Sequence, residues 1–276
     1  MNMMVLITGA CGGLGRAMAS ECARRGYELF LTDISEPGLC SIRQGLERQY
    51  GTKVHTHVCD ITDAAHTAAM FERITAMEKR PNMLLNIAGI DNEGGFMTLP
   101  GERIADIVRL NIEATLRVTH AALSIRKKAE KFYIVNVSSL ASLYPIPLKA
   151  TYAASKRFLL DFSIALGQEL KYENVRVMAL CPGGLATTPE ALHGIAAQGL
   201  WGSLTTNGLG QVAERTITRV MAGRRVYIPG VVNRLLSILG AVAPPAMVAQ
   251  MLHKRWRQAQ RQWLTHSSCN EGLCRR

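Results

Sequence analysis

The sequence predicts an α/β fold: a doubly wound parallel sheet of about seven strands, followed by a C-terminal helical extension. Three observations point there. Short apolar runs alternate with helical segments through the first 230 residues, as parallel strands joined by crossover helices read. The runs are almost continuously apolar, as burial on both faces requires. The first run leads into a glycine turn, and the second closes on an acid.

Taken in order, residues 3–8 form a β-rich run followed by Gly9, Gly12, Gly13 and Gly15. Residues 16–26 carry helical spacing and end on a glycine, and residues 27–32 form the second run, closing on Asp33. Glycines let backbone approach a pyrophosphate, the helix start offers free N–H groups, and an acid about 20 residues on accepts from a ribose; Asp33 lies 18 past Gly15. The pattern repeats: helices over 42–50, 64–79, 103–128, 152–172 and 211–222 alternate with strands over 53–59, 82–86, 132–137, 175–180 and 225–228. Residues 183–210 break the rhythm with a glycine-rich stretch past a strand end. It reads as a lid over substrate, because Leu200 and Trp201 would be wasted in solvent.

Composition narrows the class. A hydrophobic fraction of 48% suits a packed core and excludes disorder. The net charge is +11, but residues 231–276 hold seven Arg/Lys against one Glu, so +6 of it sits there. The body is only mildly basic, which argues against a nucleic-acid partner. Seven cysteines, an odd count without a CxxC pair, read as reduced thiols in a cytoplasmic protein. The histidines show no metal-ligand spacing, and no metal is expected. The N-terminus reads as a first strand and not a signal peptide, and no apolar stretch reaches the ~20 residues of a membrane span.

The chemistry centres on residues 139–156. Tyr152 and Lys156 stand four apart, which puts both on one helix face, and Ser139 follows the fifth strand thirteen residues before the tyrosine. A phenol, an ammonium and a hydroxyl can therefore meet at one point.

Residues 3–230 resemble the short-chain dehydrogenase/reductases, a family with a Rossmann fold. Thr8, Gly9, Gly12, Gly13, Leu14 and Gly15 fall on its cofactor turn, and Asp60 with Ile61 on its adenine contact. Asn86, Ala88 and Gly89 match its Asn-Asn-Ala-Gly strand end, except that Ile87 replaces the second Asn. Asn111, Ser139, Tyr152 and Lys156 match its catalytic set, and Pro182, Gly183, Leu185 and Thr187 its nicotinamide loop. The resemblance implies one catalytic domain over 1–230 and hydride exchange between a dinucleotide and a secondary alcohol or ketone. Tyr152 is then the acid/base, Lys156 a ribose ligand whose charge draws the phenol below its usual ~10, Ser139 the substrate-oxygen donor and Asn111 the holder of a relay water.

Asp33 repels a 2′-phosphate, and neither Ile34 nor Gly12 is basic, so the expected cofactor is NAD(H) in preference to NADP(H). The apolar filler at 140–147 predicts an apolar substrate, hydroxysteroid-like, with a 3-oxoacyl chain as the alternative. A non-catalytic NAD-binding, membrane-associated module is the reading from a different class. Family analogy implies a homodimer or homotetramer through the helices at 103–128 and 152–172. The extension at 231–276 carries an apolar helix over 231–242, a break at Pro244-Pro245 and a basic amphipathic helix over 246–264 with Trp256 and Trp263 on one face. It reads as a cover for the pocket or subunit edge, as a peripheral membrane contact through 231–264, or as a solubilising end.

Overall fold

The computed structural model describes residues 3–91, 94–185 and 207–254. Seven strands form one parallel sheet in the order β3-β2-β1-β4-β5-β6-β7. They are β1 (Met4–Thr8), β2 (Glu28–Asp33), β3 (Val54–Val58), β4 (Met83–Asn86), β5 (Phe132–Val137), β6 (Val175–Leu180) and β7 (Val226–Tyr227). The helices are α1 (Gly13–Arg24), α2 (Glu36–Tyr50), α3 (Ala64–Ala76), α4 (Gly101–Val108), α5 (Thr115–Ile125), α6 (Ala150–Glu169), α7 (Leu209–Met221), α8 (Val231–Val242) and α9 (245–254).

Strand side chains alternate between two cores. Val5, Ile7, Leu29 and Leu31 pack with Met18 of α1, Leu39 of α2 and Ile217 of α7. Leu6, Phe30, Leu84 and Ile134 pack on the other face with Met70 and Ile74 of α3 and Val118 of α5. A two-sided sheet buries both faces of its inner strands, which is why β1, β2 and β4–β6 are mostly apolar, whereas the edge strand β3, VHTHV, is largely half-buried and carries polar residues. Strand order reverses between β1 and β4, so a crevice opens where the chain leaves both strands.

The structure corrects several expected boundaries. Helix α2 begins at Glu36, six residues before the expected start, because Ser35 accepts from the Gly38 N–H and Pro37 suits a first turn. The single helix expected over 103–128 is broken: α4 runs into a π-helical turn, Arg109–Ala114, and then α5. Helix α3 starts at 64 as expected, capped by Asp63, whose carboxylate accepts from the N–H groups of Ala65 and His66, but it ends at Ala76, three residues before the expected end. Most of the expected lid, with Thr187, Leu200 and Trp201, and the end of the basic helix, with Trp256 and Trp263, lie outside the described residues. Among the described residues no helix is long and apolar enough to cross a membrane.

Candidate active site

The crevice is built by close backbone approach. Gly9 turns with φ +65°, and a Cβ there would meet the Ala88 backbone at 2.7 Å. A Cβ on Gly15 would fall 2.1 Å from the Gly9 carbonyl oxygen. The Thr8 hydroxyl ties the two strand ends together by accepting from the N–H groups of Ile87 and Ala88. The start of α1 has Gly12 as its N-cap, with no side-chain cap and no acid in the first turn. Gly13, Leu14 and Gly15 thus present N–H groups and positive helix potential to an anion, and the cradle fits a dinucleotide pyrophosphate.

Asp33 ends β2 beside this turn. Its carboxylate accepts from the Cys11 N–H at 2.9 Å and the Ser35 N–H at 3.2 Å, so its position is fixed by backbone. Asp60 is exposed beyond β3 and accepts from Thr62, while Ile61 beside it is buried. Asn86 is buried and donates to Thr119 and Asn136. Pro182, Gly183 and Leu185 follow β6, and the Pro182 carbonyl accepts from the Leu140 N–H just past Ser139.

The acid/base set assembles at the same edge. Lys156 is buried, its ammonium 5.7 Å from the Tyr152 ring centroid and donating to the Val137 carbonyl at 2.9 Å. Ser138 locks this helix to β5 by donating to the Lys156 carbonyl at 2.6 Å. The Ser139 hydroxyl accepts from the Ala141 N–H at 3.1 Å and acts on the Tyr152 phenol, pulling its pKa down. Asn111, fully buried in the π-helical turn, accepts from the Ile90 N–H and donates to the Ile90 carbonyl and the Ser155 hydroxyl. A Cβ on Gly89 would lie 3.0 Å from the Asn111 Oδ1 and 3.1 Å from the Lys156 Nζ. Glycine at 89 therefore keeps open the space between the two groups.

The chain's own groups do not by themselves supply the expected lowering of the phenol: burial, and then the Asp91 carboxylate, push it up, and only Ser139 pulls it down. The physical reason is that Lys156 turns to the Val137 carbonyl, and burial lowers its own ammonium to about 8. The chain's own groups thus favour the neutral phenol.

Sequence reasoning also passed over a second cation. Lys149 lies 5.7 Å from the Tyr152 ring centroid, held by Asp91 at 2.6 Å. Leu148 before it takes φ +66°, a left-handed conformation that costs a leucine about 1–3 kcal/mol and that clusters at functional sites. Nothing in the sequence marks that turn. The i, i+3 spacing of Lys149 to Tyr152 was the available signal.

Comparison with known proteins agrees with this geometry. A family profile described as short chain dehydrogenase matches residues 3–193. This chain belongs to the short-chain dehydrogenase family. A very-long-chain 3-oxoacyl-CoA reductase of Laccaria bicolor is 34% identical over 174 residues, 62% of this chain and 52% of that protein. The 3-oxoacyl-(acyl-carrier-protein) reductase FabG of Thermotoga maritima is 31% identical over 182 residues, 66% of this chain and 74% of the relative. The chain spans about half the length of the fungal relatives that it matches. Among solved structures, a short-chain dehydrogenase from Sphingobium yanoikuyae in complex with NADPH superposes with a TM-score of 0.75 at 28% identity, over 87% of this chain and 93% of that one.

Proposed function

We propose that the chain interconverts a secondary alcohol and a ketone on an apolar substrate, using a nicotinamide dinucleotide. The observation that carries this is the convergence of Tyr152, Ser139, Lys156 and Asn111 beside the glycine cradle. The cradle at Gly9–Gly15 and the Asp33 carboxylate would hold the dinucleotide, and Lys156 its second ribose. When bound, that group supplies or takes up the hydride.

The protein's residues handle the proton. Tyr152, kept protonated by burial, is suited to donate to the substrate oxygen during ketone reduction. Ser139 donates a hydrogen bond to the same oxygen as charge builds there. Lys156, facing Asn111 across Gly89, would return a proton toward Tyr152 from a water that Asn111 holds.

Asp33 favours NAD(H), because a fixed carboxylate repels a 2′-phosphate and accepts from a 2′-hydroxyl. The apolar residues of the turn Leu140–Leu143, with Ile146 and Pro147, support an apolar substrate. Two classes compete: a hydroxysteroid, suggested by that filler, and a 3-oxoacyl chain, the substrate class for which the fungal and Thermotoga relatives are named. Exposed Val108, Phe158 and Ile164 support self-association through the helices at 101–125 and 150–169, which solution mass measurements test.

The test is oxidation of NADH and NADPH against steroid ketones, aliphatic ketones and 3-oxoacyl thioesters. Wild type should turn over at least one class, and Tyr152→Phe should lose about 10²–10⁴-fold in kcat while retaining dinucleotide binding. A wild type that binds no dinucleotide and reduces nothing sinks the proposal; a preference for NADPH sinks the Asp33 argument alone.

A further inference from the structure

Beyond the chemistry, an apolar surface surrounds the mouth of the site. Half of the exposed large apolar side chains among the described residues lie on two stretches, residues 96–97 and 231–251. On α8, Val231, Leu235 and Ile238 follow i, i+4, i+7 spacing and form one outward face, with Leu235 57% exposed. On α9, Met247 and Met251 repeat at i, i+4, and Met251 is 70% exposed. Phe96 and Met97, in the short helix Phe96–Thr98, are exposed as well, Met97 at 90%.

These elements meet at the catalytic edge of the sheet. Helix α8 packs on the turn Leu140–Leu143 that follows Ser139. A small cavity of about 170 Å³ is walled by Phe96, Leu99, Leu148, Thr151 and His253, so α9 reaches the residue next to Tyr152. The orientation of α8 is set from inside: Asn233 is fully buried, and its amide donates to the Pro229 carbonyl at 2.8 Å. With Asn233 on the buried side of the helix, Val231, Leu235 and Ile238 on the other side face outward.

Charge selects the occupant. Residues 231–264 carry Arg234, Lys254, Arg255, Arg257 and Arg261 and no carboxylate, and residues 94–99 carry no charge. Arg234 and Lys254 are exposed within this surface. Helices α8 and α9 carry no carboxylate, and the two that flank the Phe96–Thr98 turn among the described residues, Asp91 and Glu102, are paired with Lys149 and Arg109. Such an apolar face matches the boundary of an anionic lipid bilayer, where side chains enter the acyl region and cations meet phosphate. We propose that this chain docks on an anionic phospholipid surface through α8, α9 and the Phe96–Thr98 turn, with the mouth of the site against the lipid. An apolar substrate then reaches Tyr152 from the bilayer without crossing water. The docking does not depend on the proposed reaction; only this route rests on that reading.

The experiment is co-sedimentation of the full chain with phosphatidylcholine vesicles, with and without 30% phosphatidylglycerol. The wild type is expected to pellet with the anionic vesicles at least tenfold more than with phosphatidylcholine alone. The combined variant Leu235→Gln/Ile238→Gln/Met251→Gln should lose at least tenfold in partitioning. Arg234→Gln and Lys254→Gln should each lose about fivefold. All these positions are exposed, and unchanged melting temperature and dinucleotide binding establish that each variant is folded. Tyr172→Gln, at an exposed aromatic just past the far end of α6, should bind as the wild type does. Absence of wild-type pelleting overturns the proposal, as does full binding by the triple variant. A wild-type dimer that becomes monomeric in the triple variant, with no vesicle uptake by either, assigns the surface to a second copy and also overturns it. Because sedimentation needs no turnover, failure here is distinct from failure of the enzymatic reading.

Discussion

The same substitution, glycine to alanine inside a helix, should have opposite signs at two positions of this chain. Gly45 lies in the middle of α2, exposed, with nothing within 4 Å of the place that a Cβ would take. Gly45→Ala should stabilise by roughly 0.5–1 kcal/mol, because alanine has less backbone freedom to lose on folding. Gly15 lies in the first turn of α1, where a Cβ would stand 2.1 Å from the Gly9 oxygen and 2.8 Å from the Ala10 Cα. Carbon contacts settle at about 3.5–4.0 Å, so the overlap exceeds about 1 Å and both neighbours are backbone. The helix start must leave the turn, at a cost of about 3 kcal/mol after the usual alanine gain is overwhelmed. A displacement of ~1 Å in the N–H cradle should also weaken dinucleotide binding by about 10²-fold. Urea unfolding reads the stability: the midpoint should rise for Gly45→Ala and fall for Gly15→Ala at unchanged slope. Fluorescence titration with NADH reads the binding. A Gly15→Ala protein with wild-type midpoint and affinity would refute the close approach on which the cofactor cradle rests.

Three further outcomes follow from named contacts. Asp91→Asn removes the carboxylate that raises both Tyr152 and Lys156, so the ionisation limb of the kcat/KM profile should move to lower pH, while Asp91→Glu should restore it; a limb that stays or rises contradicts the assigned geometry. Among the described residues the buried Tyr144 hydroxyl has no partner, and Tyr144→Phe should gain about 1 kcal/mol in urea unfolding; a loss of stability would show that the hydroxyl is bonded. Glu28 is buried between His55 at 2.7 Å and Lys79 at 2.9 Å, and these bonds hold its carboxyl below the usual 4.5 despite burial. Its contribution is present above 4.5 and lost as pH falls through the folded value, so Glu28→Gln should cost about 1–3 kcal/mol at pH 7 and little at pH 2, and an equal cost at both would discount the ion pairs.

The division between sequence and tertiary structure is physical. Strand positions and sheet class were legible because burial on both faces demands continuous apolar runs, and residues 132–137 and 175–180 coincide with β5 and β6. The glycine turn, Asp33, Ser139, Tyr152 and Lys156 stand out because their chemistry tolerates few residue types at those spacings, whereas Asn111 is named only through the family resemblance. Helix α2 could have been placed from Ser35 and Pro37, whose capping signal outranks the late apolar spacing that begins at Ile42. Three features came only from the folded chain. The π-helical turn that presents Asn111 depends on the bonds to Ile90 and Ser155, which lie 21 and 44 residues away. The state of the Tyr152 phenol depends on its burial and on Asp91, 61 positions earlier in the chain. The placement of Lys149 depends on the left-handed turn at Leu148, whose carbonyl accepts from the Gly94 N–H. Local spacing determines which side chains share a strand or a helix face. Which way a buried ammonium points, and what charge a phenol meets, are set by groups that only three-dimensional packing brings together.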